Sequence, residues 1–396
     1  YERTNVFADG SFALTDDINF SASIRGNFRQ SAQELAPQPY NSPTDPAYEG
    51  TFIRLDPITG LPLREFQTTN AAGATIFAYT ADQNIGRVVV TPYSGISVDN
   101  YYNTTGVPIS DARRRIAEID RRFTQDIQQY QVNLGLDGTV GNGIKWDVYY
   151  NWGYRERIDH DFGQWSGPRL ANALGPSADL DGNGTPECYR NVSDPSTLIV
   201  GCVPLNLFGG PLSIPQDQLD YVGIDLTDTF LTTQDEAVIS FSGELFKLPA
   251  GNLGWAAGYT YGKVDLEYQP DSAKQNDSVT GNTGAGTSGS LTNDSFFVEF
   301  FAPLYDNGSQ SLDMKASVRY DDYGVFDAET TYAFGVEFNA MKDLKFRATY
   351  GTVFRVPTIF DLFGGIVDSF PTYNDPCIQV PLPAGCAQVG VQLDSQ

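Results

Sequence analysis

Polar and apolar residues alternate along much of this chain in stretches of about a dozen residues, and the stretches come in pairs. The clearest is 144–158. Ile144, Trp146, Val148, Tyr150, Trp152 and Tyr154 fall on one side, and Lys145, Asp147, Tyr149, Asn151, Gly153 and Arg155 on the other. Successive strand side chains point to opposite faces, so a period of two describes a strand with one apolar and one wetted face. The same reading gives about ten strands in five hairpins. They pair 4–14 with 18–31, 123–138 with 144–158, 236–248 with 253–268, 294–304 with 310–320, and 330–339 with 344–354. The second hairpin is expected to extend back as far as Arg113. The fourth turns at Asp306-Asn307-Gly308, a strong hairpin signal.

The apolar side persists through all five hairpins. Phe20, Ala22 and Ile24 alternate with Ser21, Ser23 and Arg25, and Leu312, Met314, Ala316 and Val318 with Asp313, Lys315, Ser317 and Arg319. Tyr332, Phe334, Val336 and Phe338 alternate with Thr331, Ala333, Gly335 and Glu337. A soluble antiparallel sheet also alternates. Strands this long, with aromatics on the apolar face and turns alternately short and very long, point instead to an all-β, transmembrane antiparallel β-barrel. The stretches at about 32–112, 159–233, 269–293 and 355–396 then read as extracellular loops, being too long to connect elements inside a compact soluble domain. The whole of 1–396 reads as one barrel domain, and a partial one. The pattern starts within a strand and stops within a loop, and an open arc of ten strands has two edges that lipid does not tolerate.

Composition narrows this further. A mean hydropathy of -0.29, with no run of 18 or so apolar residues, excludes a helical membrane protein. A net charge of -24 would repel phosphate and excludes a general nucleic-acid binder.

The four cysteines form two close pairs, Cys188/Cys202 and Cys377/Cys386, each inside one proposed external loop. Disulfides and an oxidising compartment are expected, since no CxxC spacing or nearby histidine supports a metal site. The segment Asp179-Leu180-Asp181-Gly182-Asn183-Gly184 has oxygen ligands at positions 1, 3 and 5 and glycine at 6, like the opening of a calcium loop. Glu187 takes the ninth position, but Arg190 occupies the twelfth, which rules out a full EF-hand. Asp179, Asp181 and Asn183 are therefore candidates for weakly bound calcium, against the alternative of a hydrophilic turn stabilised by Cys188–Cys202. No other cofactor is implied. His160, the single histidine, lies in Asp159-His160-Asp161 without a GxSxG nucleophile, and reads as a loop residue. The run Gly281–Gly286 lacks lysine and is expected to be a loop tip rather than a phosphate cradle. No catalytic residue is predicted.

Several stretches are also familiar as sequence: Asn5–Pro37, Ser94–Gly106, Gly201–Tyr221, Glu244–Tyr261 and, most specific, Tyr332–Phe363 followed by Asp375-Pro376-Cys377. In these the chain resembles the barrel of TonB-dependent outer-membrane receptors of Gram-negative bacteria. In that family a strand ending in FRxP and an ELF-like triplet precedes a long loop; here they are Phe354-Arg355-Val356-Pro357 and Asp361-Leu362-Phe363, with Asp in place of Glu. The resemblance implies a complete barrel of about 22 strands with a plugged lumen. It also implies an N-terminal plug through which the TonB energy-transduction complex acts, and which this chain lacks. Outer-membrane lipid, lipopolysaccharide and a small-molecule ligand are the other implied partners.

Three function classes follow. The first is active import of a scarce nutrient (siderophore, cobalamin, oligosaccharide or similar) by a TonB-coupled receptor. The second is a passive porin or barrel enzyme, and the third a soluble secreted β-rich binding protein. Loop length and the family segments favour the first, and uninterrupted apolar faces oppose the third. Tyr93, Tyr101 and Tyr102 are candidates for stacking on a ligand, with packing among the loops as the alternative.

Overall fold

The computed structural model describes residues 1–43, 45–69, 75–141 and 143–365. Ten strands form one antiparallel sheet in simple sequence order: β1 (Glu2–Ala13), β2 (Ile18–Glu34), β3 (Arg122–Val140), β4 (Ile144–Trp165), β5 (Gly223–Leu248), β6 (Gly251–Gln269), β7 (Thr287–Asp306), β8 (Ser311–Asp322), β9 (Glu329–Met341) and β10 (Leu344–Gly351). Such a meander needs only local turns at one end. Those connections are 14–17, 141–143, 249–250, 307–310 and 342–343. The 307–310 turn is held by Asp306, whose Oδ1 accepts from the Gly308 N–H at 2.7 Å, while Gly308 takes a φ of 80°. At the opposite end the connections run long, through 35–121, 166–222 and 270–286, with a short one at 323–328. Among the described residues, β1 and β10 are the two edges of the arc.

Pairing registers carry the alternation from strand to strand without a flip. Val148 lies opposite Leu136 and Ile239, Tyr259 opposite Ile239 and Phe296, and Val318 opposite Val298 and Tyr332. The apolar face stays in the open: Ile24, Phe296, Phe334 and Phe346 are 50–57% exposed. The polar face is sheltered, with Asn151, Ser295 and Asp321 at 8%, 0% and 3%. The sheet therefore turns its polar side inward and leaves a continuous apolar band outside. A soluble protein rarely exposes a contiguous apolar patch beyond a few hundred Å²; hydrocarbon is the medium that suits this one. At the end of the band nearer the long connections, outward tyrosines meet carboxylates on neighbouring strands. The Tyr150 hydroxyl donates to Asp235, and that of Tyr259 to Asp294.

The strands outrun the apolar pattern. β4 continues past Ile158 to Trp165, and β5 begins at Gly223, well before Glu236. Both faces of these extensions are polar enough to hide the period of two, yet backbone pairing between β4 and β5 persists to Trp165 and Gly223. His160 consequently lies in a strand rather than a loop. It sits opposite Thr227, with Nδ1 at 3.0 Å from the Thr227 hydroxyl. A bulge between Asp161 and Gln164 uses Gly163 at φ 74°. A side chain there would also collide with Ile119 and the Asp120 carbonyl, at 2.7 and 2.8 Å from an ideal Cβ. The expected extension of β3 back to Arg113 is not made. Arg113–Ile116 instead pairs with Gln38–Asn41 in a separate two-stranded sheet.

The long connections have a core of their own. Helices α1 (Gly167–Leu174) and α2 (Gln216–Val222) bury Leu170, Ala173, Leu174, Leu219 and Val222 against Tyr40, Ile96, Ile116 and Trp165. Tyr40 and Trp165 stack with centroids 6.1 Å apart. Each large side chain buried this way contributes about 1.5–3 kcal/mol, so the cap over the sheet end is a packed body.

Candidate functional site

The region where the sheet meets this cap gathers polar side chains that the sequence holds far apart. Period-two alternation puts Asp159 and Asp161 on the inner face of β4, and Asp228 and Phe230 on that of β5. From the connection after β6, Lys274 reaches across both strands, its Nζ 2.8 Å from Asp228 and 3.1 Å from Asp161. Burial alone would push the Lys274 ammonium down, but the hydrogen bonds and charges of these two carboxylates hold it above its ordinary value. Asp228 also accepts from the Asp271 N–H at 2.9 Å, fixing the connection to the wall. Next to it, Gln125 donates to Asp159 at 3.0 Å, and Arg157 pairs with Asp159 at 3.2 Å. The Arg157 guanidinium lies 3.5 Å over the Phe230 ring, which itself stacks on Tyr268 at 4.2 Å.

A second tie holds the cap together. Arg114 and Glu118 pair at 2.7 Å, and Glu118 Oε1 also accepts from the N–H groups of Ser213 and Ile214 at 2.9 and 3.2 Å. Burial favours the protonated acid, but these amides and Arg114 win and hold the Glu118 carboxyl below its usual range.

The predicted tyrosines separate. Asn100 is buried and donates to the Ala173 and Gly175 carbonyls at 3.2 and 3.0 Å, pinning the 97–103 turn to the end of α1. On that turn Tyr101 and Tyr102 meet edge to face at 5.3 Å. Tyr101 is 49% exposed, while the Tyr102 hydroxyl accepts from Gln218 of α2 at 2.9 Å. Tyr93 does not join them. It lies in the strand Val90–Gly95, packs on Tyr48 at 6.2 Å and donates to Ser97 Oγ at 3.3 Å.

Asp179, Asp181 and Asn183 do share one turn, with Gly182 and Gly184 at φ 73° and 86°. Their side-chain oxygens accept hydrogen bonds within it: Asp179 from the Asn183 and Gly184 N–H groups at 3.0 and 2.9 Å, and Asp181 from the Asn183 side chain at 2.8 Å. Asn183 Oδ1 accepts from the Thr185 N–H at 2.7 Å. Among the described residues, no group of three or more His, Cys, Asp or Glu gathers to hold a metal. Cys188 is bonded to Cys202, Cα to Cα 5.7 Å. Cys377 and Cys386 lie outside the described residues.

The lysine and Arg114–Glu118 ties were not anticipated. The available signal was Lys274 itself, the single cation of 269–293, together with the Asp-x-Asp spacing of 159–161.

With this architecture established, the match to known families is decisive. The family described as TonB dependent receptor-like, beta-barrel, matches residues 64–381, most of the chain. The chain belongs to that family. No curated protein and no solved structure matches it significantly. TonB-dependent receptors are outer-membrane receptors and transporters, and the exposed apolar band is the lipid-facing belt of such a barrel. No helix among the described residues is long and apolar enough to cross a membrane.

Proposed function

We propose that this chain supplies the wall and ligand-gathering mouth of a receptor that captures a scarce nutrient outside the cell and imports it actively. Energy would come from the TonB complex, acting through a plug in the lumen. One observation carries the reading: strands whose apolar faces form the lipid belt run on, as polar strands, into a cap with its own packed core. A simple pore has no need of so large a folded structure at its rim, whereas a receptor needs rigid elements to position ligand contacts. Within the cap, exposed Tyr101 stands on a pinned turn and presents a ring for stacking. Siderophores, cobalamin and oligosaccharides are the ligand classes to test, and the role assigned is transport rather than catalysis.

The test is uptake by cells expressing the full-length receptor, with and without TonB. Accumulation against a gradient that disappears without TonB is expected. Equal uptake in both strains would place the protein among passive pores.

A further inference from the structure

On the inner wall of β1–β3 lies a hollow of about 470 Å³, lined by Arg3, Asn5, Phe7, Arg25, Asn27 and their neighbours on β3. It belongs to a wider pattern. Three consecutive inward rows run Arg3–Arg29–Ile127–Arg157–Phe230, Asn5–Asn27–Gln129–Arg155–Thr232 and Phe7–Arg25–Gln131–Gly153–Gln234. These rows hold five arginines and no acidic residue, in a chain whose net charge is -24. Acidic side chains return in the flanking rows, with Asp9 and Glu236 on one side and Asp159 and Asp228 on the other.

Arg157 pairs with Asp159, but Arg3, Arg25, Arg29 and Arg155 have no carboxylate partner among the described residues. Arg3 and Arg29 even lie directly opposite each other, an arrangement of like charges that costs stability. Two donors are also unspent: the Nε atoms of Arg29 and Arg157 are buried without a hydrogen-bond partner. Others are held in place. Arg25 sits 5.3 Å over the Phe7 ring, and Arg29 donates to Gln125. Fixed guanidiniums, carboxamides beside them and no acidic residue within the three rows make a surface that water satisfies poorly and a planar anion satisfies well.

We propose that this basic hollow is a binding station for an anionic solute, one carrying two or more carboxylate or phosphate groups. The proposal rests on the transport reading in placing the hollow along the ligand's path, and it names the class of ligand. The facing acidic rows would confine such a solute to the band between them.

Calorimetric titration of the purified full-length receptor tests it, with citrate as carboxylate probe, tripolyphosphate as phosphate probe and neutral maltohexaose as control. At least one polyanion should bind at up to millimolar concentration, more weakly as salt rises, while maltohexaose does not compete. Which of the two binds assigns the anionic group. Arg25→Gln combined with Arg29→Gln should weaken binding about tenfold for each guanidinium removed, Arg25→Lys with Arg29→Lys should restore part of it, and Arg190→Gln should change nothing. Binding of neither polyanion, binding indifferent to salt, or an unaltered Kd in the glutamine variant would overturn the proposal. The salt series on the unaltered receptor decides even if the glutamine variant fails to assemble. Since no energy source enters this assay, a receptor that imports a neutral solute through TonB yet ignores both polyanions would refute the hollow alone.

Discussion

Individual residues on β9 show how sharply the two faces differ. Val336 points outward and is 40% exposed, while its neighbour Glu337 points inward and pairs with Lys345 and, at 3.0 Å, with Arg347. Val336→Arg puts a charge into hydrocarbon at a cost of about 2–4 kcal/mol near the midplane. Glu337→Gln loses two wetted ion pairs, each worth at most about 1 kcal/mol. Heat-modifiable mobility of the two variants should show impaired assembly for the first and near-normal assembly for the second. Lys274 is a different case. Lys274→Met leaves Asp161 and Asp228 facing each other without a cation, and should cost about 3 kcal/mol locally, read as faster amide exchange in 270–286. Glu118 makes the cap sensitive to acid. Its carboxyl is held below the unfolded value, so its contribution is complete above about pH 4.5 and is lost as pH falls through the folded value. Protease cleavage at 209–214 should rise in strong acid, and Glu118→Gln should cleave at pH 7 as the unaltered protein does in acid. The Glu118 tie left no trace in the sequence. Glu118 meets Ser213 across 95 residues, and no local pattern records such a meeting.

Elements were legible where one face was apolar. The ten strands follow the alternation through the belt, because lipid on one side and water on the other impose a period of two. The continuations at 159–165 and 223–235 were not, since charged and polar residues interrupt both of their faces; backbone pairing holds them together with Lys274 between Asp161 and Asp228 and Arg157 over Phe230. The cap's core escaped for another reason: Tyr40, Ile96, Ile116 and Trp165 come from scattered segments, each too short to show a period. The disulfide was read from spacing, and its role can be measured. Closing the 14-residue separation of Cys188–Cys202 stabilises by about 3 kcal/mol in the chain-entropy model. Reductant should therefore open 177–202 to protease while the ten strands stay resistant. Leu174→Ala, at a fully buried position of α1, should loosen the cap by about 2–5 kcal/mol and leave the strands' resistance unchanged.

The molecule as a whole carries a waterline. Tyr150 with Asp235 and Tyr259 with Asp294 are outward-facing pairs at the upper limit of the belt, each binding an aromatic ring suited to the interface to a carboxylate that must stay wet. A smooth apolar cylinder could ride higher or lower in the bilayer at little cost. This one cannot sink by a rung without drawing two carboxylates under the surface, nor rise by one without lifting Phe296 and its neighbours, the row next to Asp294, out of lipid. Its draught is fixed, and under the import proposed above that matters: traction on the contents of the lumen would move the contents, while the wall holds its depth.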